Sequence, residues 1–306
     1  MTNEQYLKNL EVPTGKIDIV LDTDAFNEVD DQYAISFMIR HPEKFNVKGI
    51  CAAPFTNPLA DNAAEGMEKS YNEIFKVLKL NGKEELGELV YRGSDSYLPD
   101  ENTPVESDAA NFMADLANEY SPENPLYIVA IGAISNVASA ILKNPNIKEN
   151  CVIVWLGGHA QHIPQPAYEF NMRQDIAAAR IVFGCGAPLI QLPCKGVVDR
   201  FITTQWELIH WIVGKNELCD YLYERTVKKA ESYAKGLPWT RPIWDVTAVA
   251  WLLNKDNKFM EDRLIPSPIP EYNHEYSYDD SRHLIRYVYR INRDELFDDL
   301  FRVLGE

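Results

Sequence analysis

The sequence has few basic residues for its length, and that shortage excludes several kinds of partner. Its 306 residues include 30 lysines and arginines against 46 aspartates and glutamates, which gives a formal net charge of -16. Nucleic acids and anionic membrane surfaces bind proteins that supply positive charge, so we expect neither as a partner. A neutral or cationic ligand, or a metal ion, is compatible with this charge.

Cysteines are also few, and long apolar runs are lacking. The five cysteines are odd in number and form no CxxC pair, which favours reduced, buried thiols over a disulfide framework or a zinc site. The longest apolar run, LYIVAIGAI, has nine residues and is too short for a transmembrane helix. The N-terminal MTNEQYLKNLEVPTGK lacks the apolar segment of a signal peptide, so we expect a cytoplasmic protein.

Short apolar runs alternate with segments of helical periodicity over the first two thirds of the chain. Six runs are predicted to be buried strands: KIDIVLD (16–22), NVKGICAA (46–53), ELVYRG (88–93), LYIVAIG (126–132), CVIVWLGG (151–158) and PLIQLPC (188–194). This alternation predicts an α/β fold, with a mostly parallel central sheet and helices on both faces. Sheets of this kind bind ligands at the carboxyl ends of their strands.

After about residue 200 the pattern becomes mainly helical. Helical periodicity covers TTQWELIHWIV, ELCDYLYERTVKKAESYA, DVTAVAWLLN and the final RDELFDDLFRVL. HLIRYVYR alternates like a strand, and IPSPIP (265–270) is predicted to be an extended connector. Because no linker or repeat divides the chain, we predict one domain over residues 1–306, with additional C-terminal helices around the sheet.

Acidic residues crowd the end of the first predicted strand. The stretch IVLDTDAFNEVDDQYAI contains Asp22, Asp24, Glu28, Asp30 and Asp31. A helix N-terminus favours acidic side chains, which explains Asp30 or Asp31 alone but not the two aspartates that precede them. Burying unpaired carboxylates costs on the order of several kcal/mol each. A cluster that offers only oxygen ligands suits Ca²⁺ or Mg²⁺, and a bound cation would remove the repulsion.

The same stretch resembles the opening motif of a known enzyme family. Haloacid-dehalogenase-like phosphatases also have a strand followed by DxD, but the tail DDQYAI matches DxDPGxDDxxAI, the motif of nucleoside hydrolases. Further matches follow in order: IVAIGAISNVASAIL (128–142), VIVWLGG (152–158), EFN (169–171) with Asp175, WDVTAVAWL (244–252) and the final helix. From about Lys16 to Leu304 the chain therefore resembles the inosine-uridine preferring nucleoside hydrolases, and this implies their Rossmann-like fold.

The resemblance implies an enzyme that cleaves the N-glycosidic bond of ribonucleosides and releases ribose and a free base. It implies a Ca²⁺ ion held by Asp24, Asp31, Asp245 and the main-chain carbonyl of Ile131. It further implies Asp24 as the general base for the attacking water, with Asp22 bracing the site from behind. Ribose would be bound by Asp30, Glu169, Asn171 and Asn57. A role in purine salvage and a homodimer or homotetramer are also implied.

The chain departs from the family motif at two places. The loop from Asp24 to Asp30 is two residues longer and lacks Pro-Gly, which places Asn27 and Glu28 near the site. We expect Glu28 to be solvated. Trp244 replaces the histidine that protonates the leaving base in many members, and an indole is not an acid at neutral pH. Trp244 either stacks on a purine base or fills core space at a helix start.

Two histidines in GGHAQH are candidates for the missing acid. His159 and His162 follow a predicted strand end, and either could contact the base, although loop histidines are often simply exposed. His162 is the one we take as a candidate ligand-binding residue. Three other functions stay open: a non-catalytic ribose- or nucleoside-binding protein, a ribosyl hydrolase with a different leaving group, and a phosphatase.

Overall fold

A computed structural model describes residues 1–164, 166 and 168–306. Twelve strands lie within these residues: β1 Ile17–Thr23, β2 Phe45–Ala52, β3 Val90–Tyr91, β4 Leu126–Ala130, β5 Cys151–Leu156, β6 Leu189–Leu192, β7 Ile202–Thr203, β8 Arg241–Pro242, β9 Met260–Pro266, β10 Ile269–Pro270, β11 Tyr276–Ser277 and β12 Leu284–Ile291. The α-helices of the described residues are α1 Asn3–Asn9, α2 Asp30–Ile39, α3 Ala63–Leu80, α4 Asp108–Leu116, α5 Ser135–Lys143, α6 Ile147–Asn150, α7 Phe170–Gln174, α8 Ile176–Gly184, α9 Gln205–Trp211, α10 Glu217–Ala234, α11 Val246–Trp251 and α12 Arg293–Gly305.

Eight of the strands form one central sheet in the order β3-β2-β1-β4-β5-β6-β12-β9. All neighbouring pairs are parallel except β12 with β9, which is antiparallel. Ile19 and Leu21 of β1 point into the apolar core on one face, and Val20 points into the core on the other. The strands are mainly apolar because both faces of the sheet are covered. The parallel pairing confirms the prediction of a mostly parallel α/β sheet.

The structure differs from the sequence-based expectation at an edge of the sheet. The segment 265–270 was predicted to be a connector, but Ile265 and Pro266 end strand β9 and pair with β12. Proline is tolerated there because an edge strand can lack a backbone donor. Helix α1, capped by the hydroxyl of Thr2, was not predicted either. Within the described residues, no helix combines the length and apolar character that crossing a membrane requires.

The topology decides where ligand-binding side chains meet. The parallel strands β1, β4 and β5 end at Thr23, Ala130 and Leu156, all at the same edge of the sheet. The loops that follow carry the acidic segment, the turn before α5 and the segment before α7. Helix α11 packs on α2 and places its first residues beside these loops. The five cysteines are free thiols, as the sequence suggested.

Candidate active site

A cavity of about 210 Å³ opens at the carboxyl ends of β1, β4 and β5. It is lined by Asp24, Asn27, Glu28, Asp30, Asp31, Ile131, Leu156, Glu169, Phe170, Asn171, Cys194, Arg241, Trp244 and Asp245. A larger cavity of about 700 Å³ lies beside the start of β1, and none of the predicted site residues lines it. Position at the carboxyl ends of the strands and an acidic lining both favour the smaller cavity as the site.

Three buried carboxylates meet at this cavity. Asp30 and Asp31 belong to the first turn of α2, and Asp245 directly precedes α11. Each offers one oxygen, and these oxygens all lie within 4.8 Å of one another. The structure therefore brings together Asp31 and Asp245, two of the predicted metal ligands. The third member of the close group is Asp30, which was predicted to bind ribose.

Asp24 lies directly after β1 in the same cavity and is 1% exposed. Its Oδ2 has no hydrogen-bond partner among the described residues. Burial, followed by the neighbouring charges of Asp31 and Asp30, raises the pKa of Asp24 well above its ordinary value. A Cβ atom at Gly132 would lie 3.1 Å from Asp24 Oδ1, so glycine lets the two chain segments approach closely. Asp24 thus contributes to the cavity lining a carboxylate with one oxygen that no described residue satisfies.

The crowding of these carboxylates indicates whether the residues of the cavity could bind a divalent cation. Burial raises the pKa of Asp30 to about 7, with the charge of Asp31 as the next cause. Burial also raises the pKa of Asp31 to about 6, although Thr23 Oγ1 donates a hydrogen bond of 2.6 Å to its Oδ1. Closely spaced buried carboxylates repel one another when ionised, and a bound cation would favour their ionised forms. An oxygen-only donor set with excess negative charge fits a hard divalent cation.

Asp22 lies behind the cavity rather than in its lining. Asn136 Nδ2 donates to Asp22 Oδ1 at 2.8 Å and to the carbonyl of Ala52 at 3.1 Å. Asn136 Oδ1 in turn accepts from Ser94 N at 2.7 Å. Burial raises the pKa of Asp22 to about 7. Asn136 thereby ties β1, β2 and the loop after β3 together, a role that the sequence reasoning missed although Asn136 lies in the matched segment 128–142.

Glu169 and Asn171 line the cavity, but both are largely committed to the backbone. The Glu169 carboxylate accepts from the N–H groups of Gly158, Asn171 and Met172 at 2.8–2.9 Å and caps α7. Asn171 Nδ2 donates to the carbonyls of Ile131 and Leu156, each at 3.0 Å. Asn171 therefore fixes the carbonyl that was predicted to bind the cation, and only its Oδ1 remains available for a ligand.

Two predicted ligand-binding residues do not line the cavity. Asn57 donates a 2.7 Å hydrogen bond to Asn27 Oδ1, so it supports a lining residue from behind. His162 is exposed and lies outside the cavity, beside Gly196. His159 lines a separate cavity with Tyr276. The prediction that His162 contacts the ligand is not supported by this placement, because the loop after β5 directs both histidines away from the acidic cluster.

Trp244 and Arg241 lie on the segment that leads into α11, and both line the cavity. Trp244 is half-buried. Arg241 is 6% exposed and forms an ion pair with Glu28. Lys229 of α10 also pairs with Glu28, at 3.0 Å. The expectation that Glu28 is simply solvated was wrong, because basic residues far along the chain neutralise it. Sequence reasoning also missed Arg241, which no motif singled out.

The family model described as "Inosine-uridine preferring nucleoside hydrolase" matches residues 19–278 of this chain. The chain belongs to this nucleoside hydrolase family. Within the central sheet the match includes most of β1 and all of β2, β3, β4, β5, β6 and β9, and it also includes α2 and the segment Asp245–Trp251, which carry the clustered carboxylates. The resemblance noted in the sequence is confirmed, and with it the assignment to a family of enzymes.

Curated relatives of this nucleoside hydrolase include a probable uridine nucleosidase of Arabidopsis thaliana, 28% identical over 67% of each chain. A pyrimidine-specific ribonucleoside hydrolase of Salmonella newport is 29% identical over 50% of each chain. The chain thus covers from half to two thirds of the length of these two relatives.

Solved structures show the same fold at lower identity. A plant nucleoside hydrolase has a TM-score of 0.75 and is 18% identical, with coverage of 94% of this chain and 99% of its own. A purine-preferring ribonucleoside hydrolase from Gardnerella vaginalis also has a TM-score of 0.75, at 21% identity, and covers 94% of this chain and 98% of its own. The nucleoside hydrolase fold predicted from the sequence is confirmed.

Proposed function

We propose that this chain is a Ca²⁺-dependent nucleoside N-ribohydrolase that releases ribose and a free base from ribonucleosides. The observation that carries the proposal is the meeting of Asp31 and Asp245 with Asp30, and with Asp24 in the same buried cavity. These groups come from two distant parts of the chain. Membership of a nucleoside hydrolase family supports the reaction class.

The residues that would hold the cation are Asp31, Asp245, Asp24 and the carbonyl of Ile131. When bound, a divalent cation supplies positive charge that grips vicinal ribose hydroxyls and makes a nearby water more acidic. Asp24 is the general base, because it lines the cavity and its Oδ2 has no hydrogen-bond partner among the described residues. Asp30 accepts hydrogen bonds from the ribose. Flanking carboxylates stabilise the positive charge that develops on the sugar.

The preference for a base rests on Trp244. A half-buried indole in the wall of the cavity offers a flat surface on which a purine ring could stack. Relatives are named for uridine and for pyrimidines, and a structural neighbour is named as purine-preferring. We propose a purine preference on the strength of Trp244, with a role in purine salvage as its consequence.

The test is direct. The protein is incubated with inosine, guanosine, uridine and cytidine, and reducing sugar is measured over time. We expect ribose release from the purine nucleosides, its loss after chelation and its recovery with Ca²⁺. Deoxyribonucleosides should react poorly, because they lack the 2′-hydroxyl that completes a chelating diol. Asp245→Asn is the control that should not recover with Ca²⁺.

Other results would favour the other functions. Heat of nucleoside binding without any release of ribose would identify a non-catalytic binding protein. Activity only on ribosides whose leaving group is not a nucleobase would identify a related ribosyl hydrolase. Release of inorganic phosphate from sugar phosphates would favour the phosphatase.

We also propose an oligomeric state, a domain organisation and a location for this protein. The family resemblance suggests a homodimer or homotetramer, which light scattering after size exclusion would measure. We propose one domain over residues 1–306, supported by apolar cores on both faces of a single sheet. Five free cysteines are consistent with the proposed cytoplasmic location.

A further inference from the structure

Arg241 is the only positively charged side chain among the described residues that line the acidic cavity. It belongs to the short strand β8, three positions before Trp244, and its side chain is 6% exposed. A buried guanidinium is costly unless it has partners. Arg241 lines the same cavity as Trp244, the residue that the proposed function assigns to the base.

The partners of Arg241 do not use its full hydrogen-bonding capacity. Its guanidinium forms an ion pair with Glu28 and lies 3.7 Å from Asp30 Oδ1. Its Nε has no hydrogen-bond partner among the described residues. Glu28 is already paired with Lys229, and Arg225 donates to its backbone carbonyl at 3.1 Å. Glu28 thus has other cations near it, and Arg241 retains a donor for a ligand.

Apart from the carboxyl groups assigned to the cation and to the ribose, the described lining of the cavity offers no evident acid for the leaving group. No histidine or lysine is found among the described residues of its lining, and the indole of Trp244 cannot donate its proton to a base at neutral pH. We propose that Arg241 stabilises the departing base through its fixed positive charge and a guanidinium N–H hydrogen bond. This inference rests on the proposed function. Electrostatic stabilisation of this kind can replace proton donation where the leaving group can carry negative charge.

The step balances without an additional reactant. The C1′–N bond breaks, and its electron pair stays on the base nitrogen, where the ring spreads the charge towards Arg241. The oxygen of water bonds to C1′, and its proton passes to Asp24. The base anion then takes a proton from solvent, and Asp24 returns its proton to solvent. The products are ribose and the neutral base. Bases with an oxo group suit this site best, since they are the more stable anions.

The experiment compares two leaving groups in three variants. The base that leaves inosine needs stabilisation of its negative charge by the enzyme. The nitrophenolate that leaves 4-nitrophenyl riboside is an anion that is already stable in water. We expect Arg241→Gln to lower kcat on inosine by about 10²-fold, the usual effect of removing one charge-stabilising donor. The same variant should change kcat on the nitrophenyl riboside little. Lys229→Gln removes another cation bound to Glu28 and should leave both substrates unaffected. Arg241→Lys should retain part of the activity on inosine.

The double variant Glu28→Gln/Arg241→Gln distinguishes a catalytic role of Arg241 from a structural role in neutralising Glu28 of the acidic loop. If Arg241 only neutralises Glu28, removing both groups will restore turnover of inosine, and the proposal is overturned. Equal losses on the two substrates in Arg241→Gln would also overturn it, since a purely structural defect does not depend on the leaving group. A wild-type protein that releases ribose from neither substrate would instead contradict the proposed function itself. Ca²⁺ binding measured by calorimetry shows whether each variant keeps a folded site.

Discussion

Asp24 illustrates how much a single side chain depends on its surroundings. A Cβ atom at position 132 would lie 3.1 Å from its Oδ1, and its Oδ2 has no hydrogen-bond partner in the described part of the chain. Asp31 and Asp245, by contrast, come close to each other and to Asp30. Asp24 can therefore accept a proton through one oxygen, while its carboxylate also contributes to the cation site proposed for Asp31 and Asp245.

The substitution Asp24→Asn tests that separation. Without a base, kcat on inosine should fall by about 10²–10⁴-fold, the usual contribution of general base catalysis. Asparagine keeps a side-chain oxygen at this position, and the close group of Asp30, Asp31 and Asp245 is unchanged. Calorimetry should therefore still detect binding of the nucleoside and of Ca²⁺, the latter with lower affinity than in the wild type. Asp18→Asn, at the other end of strand β1, is the matched control and should behave like wild type. Full activity of Asp24→Asn would exclude Asp24 as the base.

At the scale of elements, helix α12 is anchored to α2 through a buried ion pair. His41, which follows α2, points Nε2 at Asp299 Oδ2 at 3.2 Å and Nδ1 at the carbonyl of Phe37 at 2.8 Å. Both ring nitrogens face acceptors, so the protonated ring satisfies both. Because α2 begins with Asp30 and Asp31, this pair helps to hold the helix that carries two site residues.

The pair predicts a pH-dependent stability. Burial opposes protonation of His41, but the hydrogen bonds to Asp299 and Phe37 outweigh it and raise the pKa of His41 above 6.5. Its contribution is therefore complete below about pH 6.5 and is lost as pH rises through the folded pKa. Burial also acts against ionisation of Asp299, yet hydrogen bonds from His41 and Arg302 lower its pKa to about 2. The contribution of Asp299 is present above about pH 4 and is lost as pH falls towards 2.

We therefore expect Asp299→Asn to lower the free energy of unfolding by roughly 1.5–3 kcal/mol near pH 5.5. The deficit should be smaller at pH 8 than at pH 5.5, because the charge of His41 is lost as pH rises through its raised folded pKa. The contacts of Asp299 with Arg302 and Lys258 would account for what remains. Urea denaturation at the two pH values measures it. Asp298→Asn, on the exposed side of the same turn, is the control. A deficit that does not change with pH would rule out His41 as the partner that matters.

At the scale of the whole molecule, the acidic cluster links folding to a cation. Burial raises the pKa values of Asp22, Asp24, Asp30, Asp31 and Asp245. The folded chain holds these groups together, whereas the unfolded chain disperses them. A cation that binds only the folded state stabilises that state by mass action.

Thermal unfolding should therefore depend on Ca²⁺. At a concentration one hundred times its Kd, Ca²⁺ is expected to add about 2.7 kcal/mol to the free energy of unfolding and to raise the Tm by several degrees. Differential scanning calorimetry with chelator, Ca²⁺ and Mg²⁺ measures the effect. Asp245→Asn should lose the response to Ca²⁺. An unchanged Tm of the wild-type protein in Ca²⁺ would refute a Ca²⁺ site.

Sequence alone determined the parallel sheet, since apolar runs and helical periodicity are local properties of the chain. The motifs DDQYAI and WDVTAVAWL also indicated Asp31 and Asp245 as partners, and the structure places them together. Local pattern could not reveal β9, whose edge position depends on pairing with β12.

Only the tertiary structure decided which residues reach the cavity and which remain behind it. The sequence suggested His162, but the path of the loop after β5 leads it elsewhere. Arg241 lies 213 residues beyond Glu28 and has no motif of its own, yet the packing of β8 and α10 against the acidic loop brings both to the cavity. A motif records residue types at a fixed spacing, whereas an ion pair between distant segments depends on how those segments pack. The pairing of Arg241 with Glu28 was therefore visible only in the tertiary structure.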